Sequence, residues 1–334
     1  MQSINNEPKV AKKRKQEIRA LLVNQLLIDL EKMEDFEMRE AIVKELVGAV
    51  KKIAGNGYLV TAQETTKNNG VKMFGIEIGK PEETVVPRLY VDGIVDRVED
   101  GFMTVEDAAK KVFEMYQNIE TPEIEMNVEK WIDRKFILDH VEYRLVNAER
   151  NAEKLKDIPG KKIADLVAIY RVVASSGENG MMSYVLTKAI LDRLGISFEE
   201  LDEAAKKNTE KSGFSVRTMS EVMCELMGVN VGQEIEEPDG PQMYILTNTR
   251  KLHGANIMLY KEYLEIAAEK MNGDFYIIPS SIHELIAVPV SAQGLEELRE
   301  MVKAVNDNQL TPEEILGYEV YRYNRETGEV EVAV

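Results

Sequence analysis

The segment Ser280-Ser281-Ile282-His283-Glu284 crowds two hydroxyls, an imidazole and a carboxylate together, the residue types of a nucleophile, a base and an orienting acid. On an extended strand alternate residues share a face, so Ser281 and His283 can meet while Glu284 points away. A hydrolase using Ser281 and His283, with Glu284 as the third candidate, is therefore one expectation. Against it, the chain contains no Gly-x-Ser-x-Gly elbow to expose a serine. The leading expectation is that the segment is polar structure at a strand start, where Pro279 limits the ladder. Ser280, Ser281 and His283 would then join Asn248, Arg250 and His253 as ligand-binding candidates, provided the fold gathers them at one pocket.

Other chemistries fail on spacing. His283-Glu284-Leu285-Ile286-Ala287 begins like a metalloprotease helix but has Ala287 where the second histidine must stand. His140 and His253 are the only other histidines and Cys224 the only cysteine, so no zinc site and no internal disulfide are expected. Gly75-Ile76-Glu77-Ile78-Gly79-Lys80-Pro81 lacks both the spacing and the hydroxyl of a phosphate-binding loop. Gly55-Asn56-Gly57 lies between helix and strand, the reverse of the dinucleotide-binding order. The acidic run Glu234, Glu236, Glu237, Asp239 lacks the alternate spacing of a calcium loop. No cofactor and no metal are expected.

Charge narrows the partners. Forty-two basic residues against 59 acidic ones give a formal charge of −17, which repels phosphate backbones at long range. Nucleic-acid contact is expected only through the N-terminal tip, where Lys9, Lys12, Lys13, Arg14, Lys15 and Arg19 outnumber Glu7 and Glu17. Asn24, Gln25 and Asp29 interrupt the apolar stretch from Leu21 that could otherwise pass for a signal peptide, and no run is long enough to span a membrane. With a single cysteine, these features predict a cytoplasmic protein, and the partner is expected to be another, unidentified protein.

The candidate residues need positioning elements. Apolar residues three or four apart predict one or two helices over 16–54, with Asp35 as the break. Strands are predicted at 58–64 and 71–78 around Lys67-Asn68-Asn69-Gly70, whose turn chemistry tolerates positive φ, and a third at 88–91. Thr104 with Asp107 predicts a helix to about Gln117, and the Pro122 region between 120 and 127 is the predicted unit boundary. Trp131, Leu138, Val141, Leu145, Ala148, Ala152 and Leu155 predict one long helix ended by Pro159-Gly160. Beyond it come strands at 163–173 and 181–187, helices before Gly195, at 197–208 and at 220–227, a strand at 243–247, a helix at 261–271 and strands at 275–278 and 285–288. Thr311-Pro312-Glu313-Glu314 reads as a helix start and Glu326-Thr327-Gly328-Glu329 as a hairpin turn.

The string Tyr276-Ile277-Ile278-Pro279-Ser280-Ser281-Ile282-His283-Glu284 resembles a bacterial family known only as a domain of unknown function, met in anaerobic gut bacteria and their mobile elements. Tyr244-Ile245-Leu246-Thr247-Asn248, Thr66-Lys67-Asn68-Asn69-Gly70-Val71 and Tyr143-Arg144-Leu145-Val146-Asn147 fit the same pattern. The resemblance implies no activity, cofactor or catalytic residue. The fold expected is α+β, helices with small antiparallel sheets in two units: a basic flexible tip at 1–20, a helix and sheet unit at 21–122 and a larger α+β unit at 123–334. A non-catalytic interaction or regulatory protein is the expected function.

Overall fold

The structure, a computed structural model, describes residues 36–83, 86–119, 128–177, 180–228, 242–291 and 294–334. The chain is α+β and falls into two compact units, Met1–Thr66 with Lys72–Glu120, and Lys67–Val71 with Thr121–Val334. The basic tip, the helix predicted up to Asp35, the predicted boundary at 120–127 and the acidic run after Gly232 lie outside the described residues. Among the described residues no helix is long and apolar enough to cross a membrane.

In the first unit residues 36–54 are helical (α1) and bury Val43, Leu46 and Val50 at three- and four-residue spacing. Strands β1 (Leu59–Thr66), β2 (Lys72–Gly79) and β3 (Arg88–Tyr90) form an antiparallel sheet in that order. Helices α2 (Asp92–Glu99) and α3 (Val105–Gln117) complete a core in which α1 meets Phe74, Ile76 and Ile78 of β2. The hydroxyl of Thr104 accepts from the Asp107 N–H at 3.2 Å and starts α3 as its sequence predicts.

The turn joining β1 to β2 counts with the second unit, although the sequence reading puts it inside 21–122. Asn69 (φ 58°) and Gly70 (φ 72°) take the left-handed conformations expected of them. The reason for the reassignment is hydrogen bonding: the Asn68 amide donates to the Glu313 carbonyl at 2.9 Å, and that of Asn69 to the carbonyls of Pro312 (2.8 Å) and Ile315 (2.7 Å).

The remaining elements run α4 (Val128–Trp131), α5 (Arg134–His140), β4 (Val141–Asn147), α6 (Ala152–Leu155), β5 (Gly160–Ile163), β6 (Leu166–Gly177), β7 (Gly180–Val185), α7 (Lys188–Leu194), α8 (Phe198–Glu210), β8 (Phe214–Thr218), α9 (Met219–Leu226) and β9 (Tyr244–Asn248). A 3₁₀ turn (Gly254–Leu259) leads to α10 (Lys261–Met271), β10 (Phe275–Pro279), β11 (Leu285–Pro289), α11 (Leu295–Gln309), β12 (Tyr321–Asn324) and β13 (Glu329–Val332). Strand β6 pairs with β4 along one edge and with β5 and then β7 along the other. A six-stranded antiparallel sheet runs β13-β12-β10-β11-β9-β8. One face of each sheet contributes to the main core, where Tyr143, Leu145 and Tyr170 share a cluster with Leu246, Phe275, Leu285 and Tyr321. Each such large side chain is worth about 1.5–3 kcal/mol on burial. Helix α11 covers the other face of the large sheet through Leu298 and Val302 against Ile278 and Val288.

Two sequence expectations are corrected and one strand is added. The long helix from Trp131 to Leu155 is instead α4, α5, the strand β4 and the short α6. Val141 and Leu145 fit a four-residue period, but with Tyr143 they also fit period two, and seven paired rows with β6 decide for the strand. Thr311-Pro312-Glu313-Glu314 makes a single turn, Glu314 N–H to Thr311 carbonyl at 2.9 Å, and goes no further. The carbonyls that a helix would use are taken by the Asn68 and Asn69 amides, and the helix of this region, α11, precedes the turn. Strand β8 was not expected; it ends at Thr218, which forms a capping box with Glu221 to start α9.

Strand β4 lies at a sheet edge, yet four of its main-chain groups are satisfied by side chains. The Tyr143 N–H donates to the Thr209 hydroxyl (2.8 Å) and the Leu145 N–H to Asn256 Oδ1 (3.1 Å). The Tyr143 carbonyl accepts from Asn256 Nδ2 (2.6 Å), and that of Val141 from Asn208 Nδ2 (3.1 Å).

Candidate functional site

The structure gathers Asn248, His253 and the 280–284 segment of the residues picked out by type, but not Arg250. Loop 248–254 after β9 packs on loop 280–284 between β10 and β11. Asn248 folds the first loop on itself, its amide donating to the Leu252 carbonyl at 2.9 Å and accepting from the Leu252 N–H at 3.3 Å. His253 then takes a left-handed φ of 54°, and its N–H donates to Nδ1 of His283 at 3.1 Å with the two rings stacked at 5.4 Å. Ser281 is not on a strand face with His283, as expected from the sequence, but in a tight loop where its hydroxyl accepts from the His283 N–H at 3.0 Å. The hydroxyl of Ser280 reaches Glu284 at 3.4 Å, and the Ser281 N–H donates to the Glu284 carbonyl.

This geometry fixes the proton on His283. With Nδ1 accepting a main-chain N–H, the neutral ring carries hydrogen on Nε2, which faces Glu314 at 3.8 Å. A ring in that tautomer has no lone pair left for a serine proton, so Ser281 and His283 are not arranged as nucleophile and base. Burial lowers the His283 pKa, partly countered by Glu314. The effect is larger at His253, which burial first, then the charges of Arg171 and Arg144, push down to about 2.

The close approach of the two loops rests on Gly254. A Cβ there would lie 2.2 Å from the Thr247 hydroxyl, 2.4 Å from the His283 carbonyl and 2.8 Å from the Asn248 nitrogen. Because two of these are main-chain atoms that cannot rotate away, Gly254→Ala is expected to cost roughly 1–3 kcal/mol in a urea melt. An unchanged midpoint would show that the loops can separate.

Arg250 leaves this group and pairs with Glu142, and it opens the route to a site that residue-type reasoning missed. On β4 and β6, Glu142 and Arg171 stand opposite one another, and Arg171 donates to Glu142 Oε2 at 2.9 Å while Arg250 donates to Oε1 at 2.8 Å. One carboxylate therefore serves two guanidinium groups. Arg144 follows two residues along the same face of β4. Its Nε is buried without a partner, and among the described residues no group accepts from its guanidinium. Burial, then Arg171, pulls the Arg144 pKa down, and no carboxylate counters them.

Arg144 lines a cavity of about 390 Å³ within the second unit, in the size range of small-molecule sites. Val146, Ile169 and Val185 supply apolar wall from the sheet, Leu155 from the end of α6 and Ile158 from the segment after it. Lys154 adds a second cation, its ammonium donating to the Lys67 carbonyl at 2.7 Å; burial, then Arg144, lowers its pKa. Asn68, which also lines the cavity, has its Oδ1 buried without a partner. A second cavity of about 320 Å³ is lined by His140, Glu142 and Arg250. His140 stays exposed and bonds to the Phe136 carbonyl. The sequence signal for Arg144 was present in Tyr143-Arg144-Leu145-Val146, a lone cation in an apolar run, but on a helix it reads as a solvated face.

Fold and cavity together define an antiparallel α+β protein with a cation-lined pocket, and among the described residues no group of three or more metal-ligating side chains. The chain belongs to a family of unknown function, DUF5688, whose model matches residues 39–325. Comparison with curated proteins and with solved structures gives no match.

Proposed function

We propose that this is a non-catalytic binding protein of a reducing, cytoplasmic setting whose second unit takes a small anionic ligand at Arg144. The observation that carries the reading is a half-buried guanidinium whose Nε is buried without a partner and which has no acceptor among the described residues, on a chain that has 59 acidic residues to choose from. An uncompensated buried charge costs several kcal/mol, whereas the planar fork of an arginine gains two charge-assisted hydrogen bonds from one carboxylate or phosphate. Lys154 and the Arg171 and Arg250 pair raise the local potential further in favour of an anion. The buried, free Cys224 suits a compartment that keeps thiols reduced.

Arg144→Met separates a binding role from a structural one. Removing an unpaired cation from a part-buried strand face is expected to leave the melting temperature equal or higher, while affinity for 4-methylpentanoate or inorganic phosphate, read by calorimetry, falls about 30-fold. A variant that melts well below the wild type and binds anions unchanged would mean that Arg144 holds the fold and not a ligand.

A further inference from the structure

The anionic group at Arg144 accounts for part of the cavity lining. The same lining also holds acceptors. The Asn68 amide is fixed in orientation because Nδ2 donates to the Glu313 carbonyl at 2.9 Å, so the unpartnered atom is an oxygen that needs a donor. Its neighbour Asn151 has no donor to spare: its two amide hydrogens go to Asn69 Oδ1 (3.2 Å) and the Asn147 carbonyl (2.9 Å). Asp157, an exposed residue, also lines the cavity, and among the described residues nothing pairs with its carboxylate. A ligand that is only an anion leaves the Asn68 oxygen without a hydrogen and sets a second negative charge beside Asp157. A phosphate or a dicarboxylate worsens that balance.

We infer, resting on the binding reading above, that the pocket takes a zwitterion with an aliphatic body, an aliphatic amino acid whose carboxylate meets Arg144 and whose ammonium meets Asn68 Oδ1 and Asp157. The ammonium supplies the hydrogen that Asn68 lacks and neutralises Asp157, and the hydrocarbon part lies on Val146, Ile169 and Val185. Arg144, Asn68 and Asp157 are then all compensated, which neither a simple acid nor a simple amine achieves.

The test is calorimetric titration of the full chain with two matched pairs, leucine against 4-methylpentanoate and 6-aminohexanoate against hexanoate, which differ within each pair by the amino group alone. At least one amino acid is expected to bind about tenfold tighter than its amine-free partner, and the pair that shows it tells whether the ammonium sits on the α-carbon or at the far end of the chain. Asp157→Asn, which alters no main-chain bond, is expected to erase that advantage while the plain acid binds as before or tighter. If both acids bind through Arg144 and the amino group adds nothing in either pair, the zwitterion is overturned and the anion site stands. If no compound binds, both fall.

Discussion

Asn256→Leu is expected to remove about 2–6 kcal/mol from the unfolding free energy of the second unit. Asn256 is 3% exposed, and its amide serves two main-chain groups of β4, accepting from the Leu145 N–H and donating to the Tyr143 carbonyl. Leucine matches its size but supplies neither bond, and each buried group left unsatisfied costs about 1–3 kcal/mol. Against a total that for most domains is roughly 5–15 kcal/mol, this approaches loss of the fold. Thr209→Val, which orphans the Tyr143 N–H and removes a hydroxyl beside that of Tyr260, is expected to cost about half as much. Urea denaturation reads both. A loss under about 1 kcal/mol for Asn256→Leu would mean that the edge of β4 is hydrated and that the amide is replaceable.

The second large effect is on pH dependence. His253 has its pKa pushed down to about 2 in the native protein by burial and by Arg171, Arg144, His283 and Arg250, while an unfolded histidine titrates near about 6.5. Between those values the unfolded chain binds one proton more than the native one, so stability rises with pH there and falls as the solution is acidified from 6.5 downward. The slope is about 1.4 kcal/mol per pH unit, on the order of 2–3 kcal/mol by pH 4.5. Asparagine accepts the left-handed φ of 54° at this position, and His253→Asn is expected to lose that much less between pH 7 and 4.5. The shift at His283 has the same sign and persists in both proteins, so it cancels in the comparison. Identical acid profiles for the two would show that the His253 imidazole is charged in the native state.

How much could be read in advance depends on how local the signal is. Gly195 (φ 60°) as a helix stop, Ser197 as a cap for α8 and the strands β9, β10 and β11 all follow from neighbours within a few positions, and all are present. Strand β4 was misread because Val141 and Leu145 satisfy two periods at once, and the choice between them lies in β6, some 25 residues further along. The Thr311 start signal failed for the converse reason: the competitors for its carbonyls, Asn68 and Asn69, are about 245 residues away in the chain. The site divides in the same way. Histidine and serine types led to the loops at 248–254 and 280–284, which do meet, whereas the lone cation in Tyr143-Arg144-Leu145-Val146 gains its meaning from having no carboxylate beside it, and that cannot be known before the fold is.

The side chains that close the edge of β4 also set a schedule for the nascent chain. Thr209 is 66 residues downstream of Tyr143, and Asn256 is 111 downstream of Leu145. A ribosome must therefore add more than a hundred residues after Leu145 before its partner exists, and until then the strand that carries Arg144 offers bare N–H and C=O groups to any other chain nearby. A slow stretch of translation within that interval lengthens the exposure, while one placed after Asn256 does not.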